Sequence, residues 1–144
     1  MRETTADDEA ALASLYLVSY GRSVVGDEAA AQEEMRVTFA GEYGAVDLAA
    51  SPIIETATGR MVAAVMSVAV APWDDTPEGP FVIEVIVDPD HRRKGLAEHA
   101  MRWVASVLPD EGTVGLRVMS ENAPALALYT KLGFVPYSSV PSGP

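Results

Sequence analysis

Cysteine is absent from the 144 residues of this chain. Disulfide bonds and thiolate zinc sites are therefore excluded, and the composition is compatible with a reducing compartment. Histidine occurs only twice, as His91 and His99, and neither has a partner at the spacing of a metal site. We therefore expect no bound metal.

Basic residues are also scarce, with 10 Lys and Arg against 21 Asp and Glu and a net charge of −11. Nucleic-acid binding needs a basic surface, so we expect no nucleic-acid partner. No apolar run approaches the ~20 residues needed to cross a membrane, and the acidic N-terminal segment lacks a signal-peptide pattern. We therefore expect no membrane association and a cytoplasmic location.

The residues that are present fit one domain over 1–144, because 49% are hydrophobic and the length suits a single core. A first helix is expected between a capping-box-like start at Thr5–Asp8 and a stop at Gly21. A weaker helix follows over 26–44. The later elements are a hairpin around Thr58-Gly59, a buried strand over 81–89 that Pro89 ends, an amphipathic helix over 94–108, a strand over 113–120, a helix from Asn122 to Gly133 and a last strand over 134–140. The strand–helix–strand order predicts that the strands over 81–89 and 113–120 are parallel neighbours.

The sequence VDPDHRRKGLAEH, residues 87–99, places three cations where a strand leads into a helix. A helix start favours negative charge, so these cations need an explanation. A loop in this position turns main-chain N–H groups toward one point and can cradle a phosphate, with Arg92, Arg93 and Lys94 as counter-charges. The alternative is a solvated basic turn that balances Asp88 and Asp90.

The same segment resembles the pyrophosphate-binding motif of the GNAT superfamily of N-acetyltransferases, which reads Arg or Gln, two residues, Gly, one residue, and Gly or Ala. Here the motif is Arg92-Arg93-Lys94-Gly95-Leu96-Ala97, preceded by the family's Val-x-Pro at residues 87–89. A second family motif matches at Asn122, Ala125, Leu128-Tyr129 and Leu132-Gly133-Phe134. The close match covers about residues 81–135.

The resemblance implies a fold and an activity. The fold is of the α/β (α+β) class, a mixed and mostly antiparallel central sheet flanked by helices, with a parallel strand pair splayed at the cofactor site. The activity is transfer of an acetyl group from acetyl-CoA to a primary amine of a small molecule or peptide, by direct attack and without a metal. The absence of cysteine agrees with a route that has no acyl-enzyme.

The resemblance also assigns cofactor-binding residues. The loop amides of Arg93, Lys94, Gly95, Leu96 and Ala97 would bind the pyrophosphate together with the Arg92 side chain. The main chain of Ile86 and Val87 would pair with the pantetheine amides, and a backbone N–H near Ile86 would polarise the thioester carbonyl. Asn122 and Ala125 share a helix face with Tyr129 and would contact the pantetheine arm; capping alone also explains Asn122.

Two catalytic residues are expected. Tyr129 would protonate the leaving thiolate, although an aromatic at the core edge would look the same in sequence. Glu84 would be the base, because a carboxylate in the apolar run FVIEVIV has its pKa raised by burial. Strand alternation puts Glu84 on one face with Val82 and Ile86. A cross-strand ion pair of Glu84 with Arg117 is the alternative.

Two other functions remain open, a catalytically silent acyl-CoA-binding regulatory module and an interaction domain that binds another anion. The short segments 1–4 and 135–144 leave a sheet edge that a homodimer could cover. The acceptor pocket is expected from the first two helices, the segment 72–80 and the C-terminal segment. Acidic residues that could attract a cationic amine are Asp27, Glu28, Asp74, Asp75 and Glu78.

Overall fold

The first helix begins and ends at the predicted signals, whereas the second predicted helix, over 26–44, is shorter than expected. The computed structural model describes residues 1–73, 79–108, 114–117 and 122–135. Thr5 and Asp8 form the capping box, in which the Thr5 N–H donates to the Asp8 carboxylate at 2.8 Å. Helix α1 (Glu9–Tyr20) follows and ends at Gly21, whose φ of 85° suits glycine. A short helix α2 (Arg22–Val25), which the sequence did not indicate, leads into α3 (Glu28–Phe39).

A five-stranded sheet in the order β1-β2-β3-β4-β5 is formed by the described residues. Its strands are β1 (Arg2–Glu3), β2 (Pro52–Glu55), β3 (Met61–Val68), β4 (Phe81–Val87) and β5 (Gly115–Leu116). Strands β2 and β3 are the predicted hairpin, and β1 to β4 are antiparallel neighbours. Strand β5 runs parallel to β4, which confirms the predicted parallel pair. The expected last strand over 134–140 lies largely outside the described residues.

Helices cover both faces of the sheet. Helices α1 and α3 pack on one face, in a cluster that includes Leu12, Leu15, Met35, Ile53, Met66 and Ile86. Helix α4 (Leu96–Val107) and helix α5 (Ala123–Lys131) pack on the other face, in a cluster that includes Val65, Val82, Ala100, Met101, Val104 and Tyr129. This layered arrangement confirms the predicted mixed, mostly antiparallel sheet flanked by helices, and it directs the loop between β4 and α4 to one end of the sheet.

The buried face of α4 is rotated from the predicted one. Helical spacing in the sequence predicts one shared apolar face for Leu96, Ala100, Trp103, Val104 and Val107. Val107 is instead 43% exposed, and the Trp103 indole donates its N–H to the Ala49 carbonyl at 2.9 Å. The buried stripe includes Met101 and continues to Leu108, because these residues extend the helical row of Ala100 and Val104.

Candidate functional site

The loop between β4 and α4 has an unusual backbone. A 3-10 turn over Pro89–His91 follows the strand, and Asp88 caps it by accepting from the Asp90 N–H at 2.9 Å. Arg93 and Gly95 both have positive φ, of 66° and 74°. Gly95 is the residue immediately before α4. Residues in this region of φ turn successive N–H groups toward a common side, as in the concave anion sites called nests.

The N–H groups of this loop are available. Residues 93–97 donate no main-chain hydrogen bond to any acceptor in the described part of the chain, and the first helical bond of α4 is from His99 N–H to the Gly95 carbonyl at 3.0 Å. A Cβ placed on Gly95 would meet no atom within 4 Å. The loop therefore presents donors with open space in front of them. This geometry fits a diphosphate, which needs several converging donors and close approach to the backbone.

The cations of the loop are not used to balance its aspartates. Asp88 is buried and pairs with Arg60 of the β2–β3 hairpin at 2.6 Å, and its pKa is held below the usual range mainly by the Asp90 N–H. Arg92 donates to the Ser19 carbonyl in the last turn of α1 at 2.7 Å. Arg93 and Lys94 are exposed and form no ion pair within the described residues. The alternative of a solvated turn, in which the three cations offset Asp88 and Asp90, is therefore not supported by ion pairs among the described residues.

The main chain of β4 has a free side next to this loop. The Asp88 N–H donates to the Val62 carbonyl at 2.8 Å, and the register pairs Ile86 with Ala64. Because bonded and non-bonded pairs alternate in an antiparallel ladder, the main-chain groups of Ile86 point to β3, whereas those of Val85 and Val87 point away from it. On that other side β4 pairs with β5 at only two positions among the described residues. This register favours Val87, and Val85 in place of Ile86, as residues with available main-chain groups.

A β-bulge in β4 changes the face of Glu84. Met66 pairs with Glu84 and Ser67 pairs with Val82, so Ile83 is the extra residue. Val82 packs in the cluster beneath α4, whereas Ile83 and Ile86 pack in the cluster beneath α1 and α3. The expected shared face of Glu84 with Val82 is therefore wrong, because regular alternation does not continue through a bulge.

Glu84 has the electrostatic character expected of a base. Its carboxylate accepts a hydrogen bond from the Tyr20 hydroxyl at 3.0 Å. Burial raises the pKa of Glu84 to about 7, the Tyr20 hydrogen bond lowers it, and the nearby Glu34 carboxylate raises it further. The Arg117 alternative is not supported, since the partner of Glu84 is Tyr20 and the Arg117 guanidinium stacks over the Trp73 ring at 4.9 Å.

Tyr129 approaches β4 from the opposite face. It is 9% exposed, and its ring meets the Phe134 ring edge-on at a centroid distance of 5.8 Å. Its hydroxyl has no hydrogen-bond partner among the described residues, and burial raises the pKa of the phenol. Asn122 caps α5 by accepting from the Ala125 N–H at 3.2 Å. Tyr129 thus has both the partial burial of a core aromatic and a proton that is not engaged elsewhere.

Tyr20 is a site residue that the sequence reasoning missed. It lies at the end of α1, four residues after Tyr16, and the two rings meet edge-on at 5.1 Å. Burial and the Glu84 charge raise its pKa, and the proximity of Tyr129 contributes as well. The signal was a tyrosine pair at helical spacing before a helix-ending glycine. Nothing local indicated that its partner would be Glu84, 64 residues away.

A small cavity opens beside Glu84. Its volume is about 160 Å³, and its lining consists of Glu34, Thr38, Tyr43, Trp73, Ile83 and Glu84. A larger cavity, of about 360 Å³, lies among α1, α2 and α3. Glu28 is part of its lining, whereas none of the predicted catalytic or cofactor-binding residues is. Asp27 and Glu28 have structural partners, since Asp27 caps α3 and Glu28 pairs with Arg22. Asp74, Asp75 and Glu78 lie outside the described residues.

Among the described residues, no group of three His, Cys, Asp or Glu side chains is placed to hold a metal ion. Likewise, none of their helices has the length and apolar character needed to cross a membrane.

Comparison with protein families gives a match over residues 11–134 to the model described as the acetyltransferase (GNAT) family. The chain belongs to the GNAT acetyltransferase family. This family assignment confirms the resemblance found at the loop after β4 and at α5. It implies acetyl transfer from acetyl-CoA, and the loop of residues 93–97 is where the GNAT motif and the available N–H groups coincide.

Solved structures share the GNAT fold at low identity. PH1933 from Pyrococcus horikoshii OT3 is 18% identical with a TM-score of 0.70, over 96% of this chain and 88% of that one. A protein described as histone acetyltransferase HPA2 and related acetyltransferase, from Corynebacterium glutamicum, is 15% identical with a TM-score of 0.70, over 98% and 87%. Naa20 of Chaetomium thermophilum, solved with a bisubstrate analogue, is 16% identical with a TM-score of 0.64, over 92% and 68%. No curated protein matches the chain.

Proposed function

We propose that this GNAT protein is an N-acetyltransferase that transfers the acetyl group of acetyl-CoA to a primary amine, with Glu84 as the base and Tyr129 as the acid. The observation that supports the proposal is the loop of residues 93–97, whose N–H groups donate no hydrogen bond within the described residues and which is open above Gly95. The segment that resembles the pyrophosphate-binding motif lies on the same residues.

Binding of the cofactor is assigned to three parts of the chain. The N–H groups of residues 93–97 and the start of α4 would hold the pyrophosphate, with Arg93 and Lys94 as exposed counter-charges. Main-chain groups of Val85 and Val87 would pair with the amides of the pantetheine arm. Asn122, which caps α5, and Ala125, in its first turn, would border the same arm.

When bound, acetyl-CoA supplies an acetyl thioester, whose C–S bond breaks as the C–N bond to the acceptor forms, so that the sulfur leaves with the bonding electron pair. Residues of this chain would accept and donate the protons of the reaction. Glu84, with its pKa near 7, is poised to accept the proton that the amine nitrogen loses. Tyr129 would donate its phenol proton to the departing sulfur. The available N–H at Val85 or Val87 would stabilise charge on the carbonyl oxygen.

The competing function is a silent module that binds acyl-CoA without transferring it. Such a module needs the loop of residues 93–97 but has no use for a half-buried carboxylate with a raised pKa. The Glu84–Tyr20 pair therefore favours the enzyme. Release of CoA thiol in the presence of an amine panel separates the two, because binding without release on any amine would support the silent module.

The role of the loop of residues 93–97 in binding the cofactor is tested by calorimetric titration of acetyl-CoA into the wild-type chain and into Gly95→Asp. The substitution places a carboxylate where the phosphates would lie, so binding should be abolished. Gly59→Asp is the matched control, because Gly59 also has positive φ, 87°, and open space around its Cβ position, but lies in the β2–β3 turn. It should bear a similar backbone strain and retain affinity. Unaltered binding by Gly95→Asp, or no binding by the wild type, would overturn the assignment.

A further inference from the structure

The cavity beside Glu84 carries two carboxylates without a cationic partner. Glu84 accepts from Tyr20, and the Glu34 carboxylate lies close enough to the Tyr43 hydroxyl to raise the pKa of that phenol. Neither forms an ion pair with a Lys or Arg within the described residues, whereas other acidic side chains, such as Glu33 and Asp88, do. A carboxylate that is partly withdrawn from water is unfavourable unless a positive group meets it.

Aromatic rings form another part of the cavity wall. The rings of Tyr43 and Trp73 are stacked with centroids 6.1 Å apart and an interplanar angle of 28°, and Trp73 meets Phe81 edge-on. Ring faces attract cations and also pack against methylene groups. The guanidinium of Arg117 is stacked on Trp73 and does not line the cavity. The lining is thus acidic and aromatic.

The size of the cavity limits what it can enclose. Its volume of about 160 Å³ is below the ~300–1,000 Å³ of typical small-molecule sites. It would accommodate a short aliphatic chain and leave little room for a bulky or branched acceptor. Because Glu34 and Glu84 both line this small space, an acceptor with one positive group would leave one of them unmatched.

We propose that the acceptor is a short diamine-type cation, with its reacting nitrogen at Glu84, its second ammonium at Glu34, and its methylene chain against Tyr43 and Trp73. This inference rests on the proposed function and specifies its acceptor class. Amines that carry a carboxylate are disfavoured, since they would face two carboxylates.

The test uses the full chain with acetyl-CoA and three amines that each contain four carbon atoms: 1,4-diaminobutane, n-butylamine and 4-aminobutanoate. Their distal groups are positive, neutral and negative. CoA release should give kcat/KM in that descending order, with each step about tenfold, because ~1.4 kcal/mol of charge pairing corresponds to that factor. Acetyl-CoA binding is measured separately by calorimetry.

Removal of the charge at Glu34 tests whether this side chain causes the preference for the diamine. Glu34→Gln should reduce the preference for 1,4-diaminobutane over n-butylamine to near one. Glu33→Gln is the matched control: it removes the same charge one residue earlier on α3, from an exposed side chain paired with Arg36, and should keep the preference. Thermal melting verifies that both variants fold, and the wild-type amine series alone remains decisive if one does not.

The outcomes separate the two proposals. Equal rates for the three amines, a preference for 4-aminobutanoate, or no transfer to any of them while acetyl-CoA binds would overturn the diamine inference and leave the transferase proposal standing. Absence of acetyl-CoA binding would overturn the proposed function and the inference together.

Discussion

At the scale of single residues, Tyr20 lowers the proton affinity that burial gives to Glu84. Its hydroxyl donates to the carboxylate at 3.0 Å and so favours the charged form, against burial and the Glu34 charge. Tyr20→Phe removes this donor and should raise the Glu84 pKa above about 7. A base is active when deprotonated, so the ascending limb of kcat/KM against pH should move to higher pH.

Two control variants accompany this prediction, one at Tyr16 on α1 and one at Glu84 itself. Tyr16→Phe removes a neighbouring phenol that does not bond to Glu84, and it should leave the limb in place. Glu84→Gln should abolish the limb near pH 7 and leave only the titration of the amine itself. A limb that is unchanged in Tyr20→Phe and in Glu84→Gln would show that Glu84 is not the base.

Tyr129 has a different expected phenotype. Tyr129→Phe keeps the ring against Phe134 and removes only the hydroxyl, so acetyl-CoA affinity and melting temperature should be close to wild type. Transfer should slow by about 100-fold or more, the usual contribution of general acid catalysis. Calorimetry and steady-state rates measure the two effects, and an unchanged kcat would remove Tyr129 from the acid role.

At the scale of secondary structure elements, Arg92 ties the loop after β4 to the last turn of α1. Its guanidinium donates to the Ser19 carbonyl, next to Tyr20, which in turn bonds to Glu84. Arg92→Ala should therefore disturb the placement of Tyr20, lowering kcat more than acetyl-CoA affinity and raising the pH of the kcat/KM limb. We regard Arg92 as a positioning residue in this respect.

Arg93→Ala is the comparison for Arg92. Arg93 is exposed and makes no ion pair in the described part of the chain, so its loss should weaken acetyl-CoA binding while leaving the pH limb where it is. If both variants weaken binding equally and neither moves the limb, the contact from Arg92 to α1 has no part in catalysis.

The elements also show what could be predicted from sequence. The capping box at Thr5–Asp8, the hairpin and the bounds of α5 depend on local signals, namely caps, turn glycines and alternation, and these predictions are confirmed. The bulge at Ile83 could not be predicted, because β4 has apolar residues on both faces. An extra residue therefore does not disturb an alternation of apolar and polar positions. The contacts of Glu84 with Tyr20 and of Arg92 with Ser19 join distant segments, and no local pattern encodes them.

At the scale of the whole molecule, the net charge of −11 opposes the folded state through self-repulsion. Several cations are already held in specific pairs, such as Arg2 between Asp8 and Glu55, and the pKa of Asp8 is lowered to about 2 mainly by the hydrogen bond from Arg2. Unpaired acidic groups therefore dominate the surface field. Screening this field should stabilise the protein.

We accordingly expect the melting temperature at pH 7 to rise by a few degrees between about 0.01 and 1 M NaCl, over which the Debye length falls from ~30 to ~3 Å. At pH 4.4, near the isoelectric point, the net charge is close to zero and the increase should largely disappear. Calorimetric scans at the two pH values measure both. A fall in melting temperature with salt at pH 7 would mean that ion pairs such as Arg2–Asp8 contribute more to stability than the net repulsion removes, because salt screens attraction and repulsion alike.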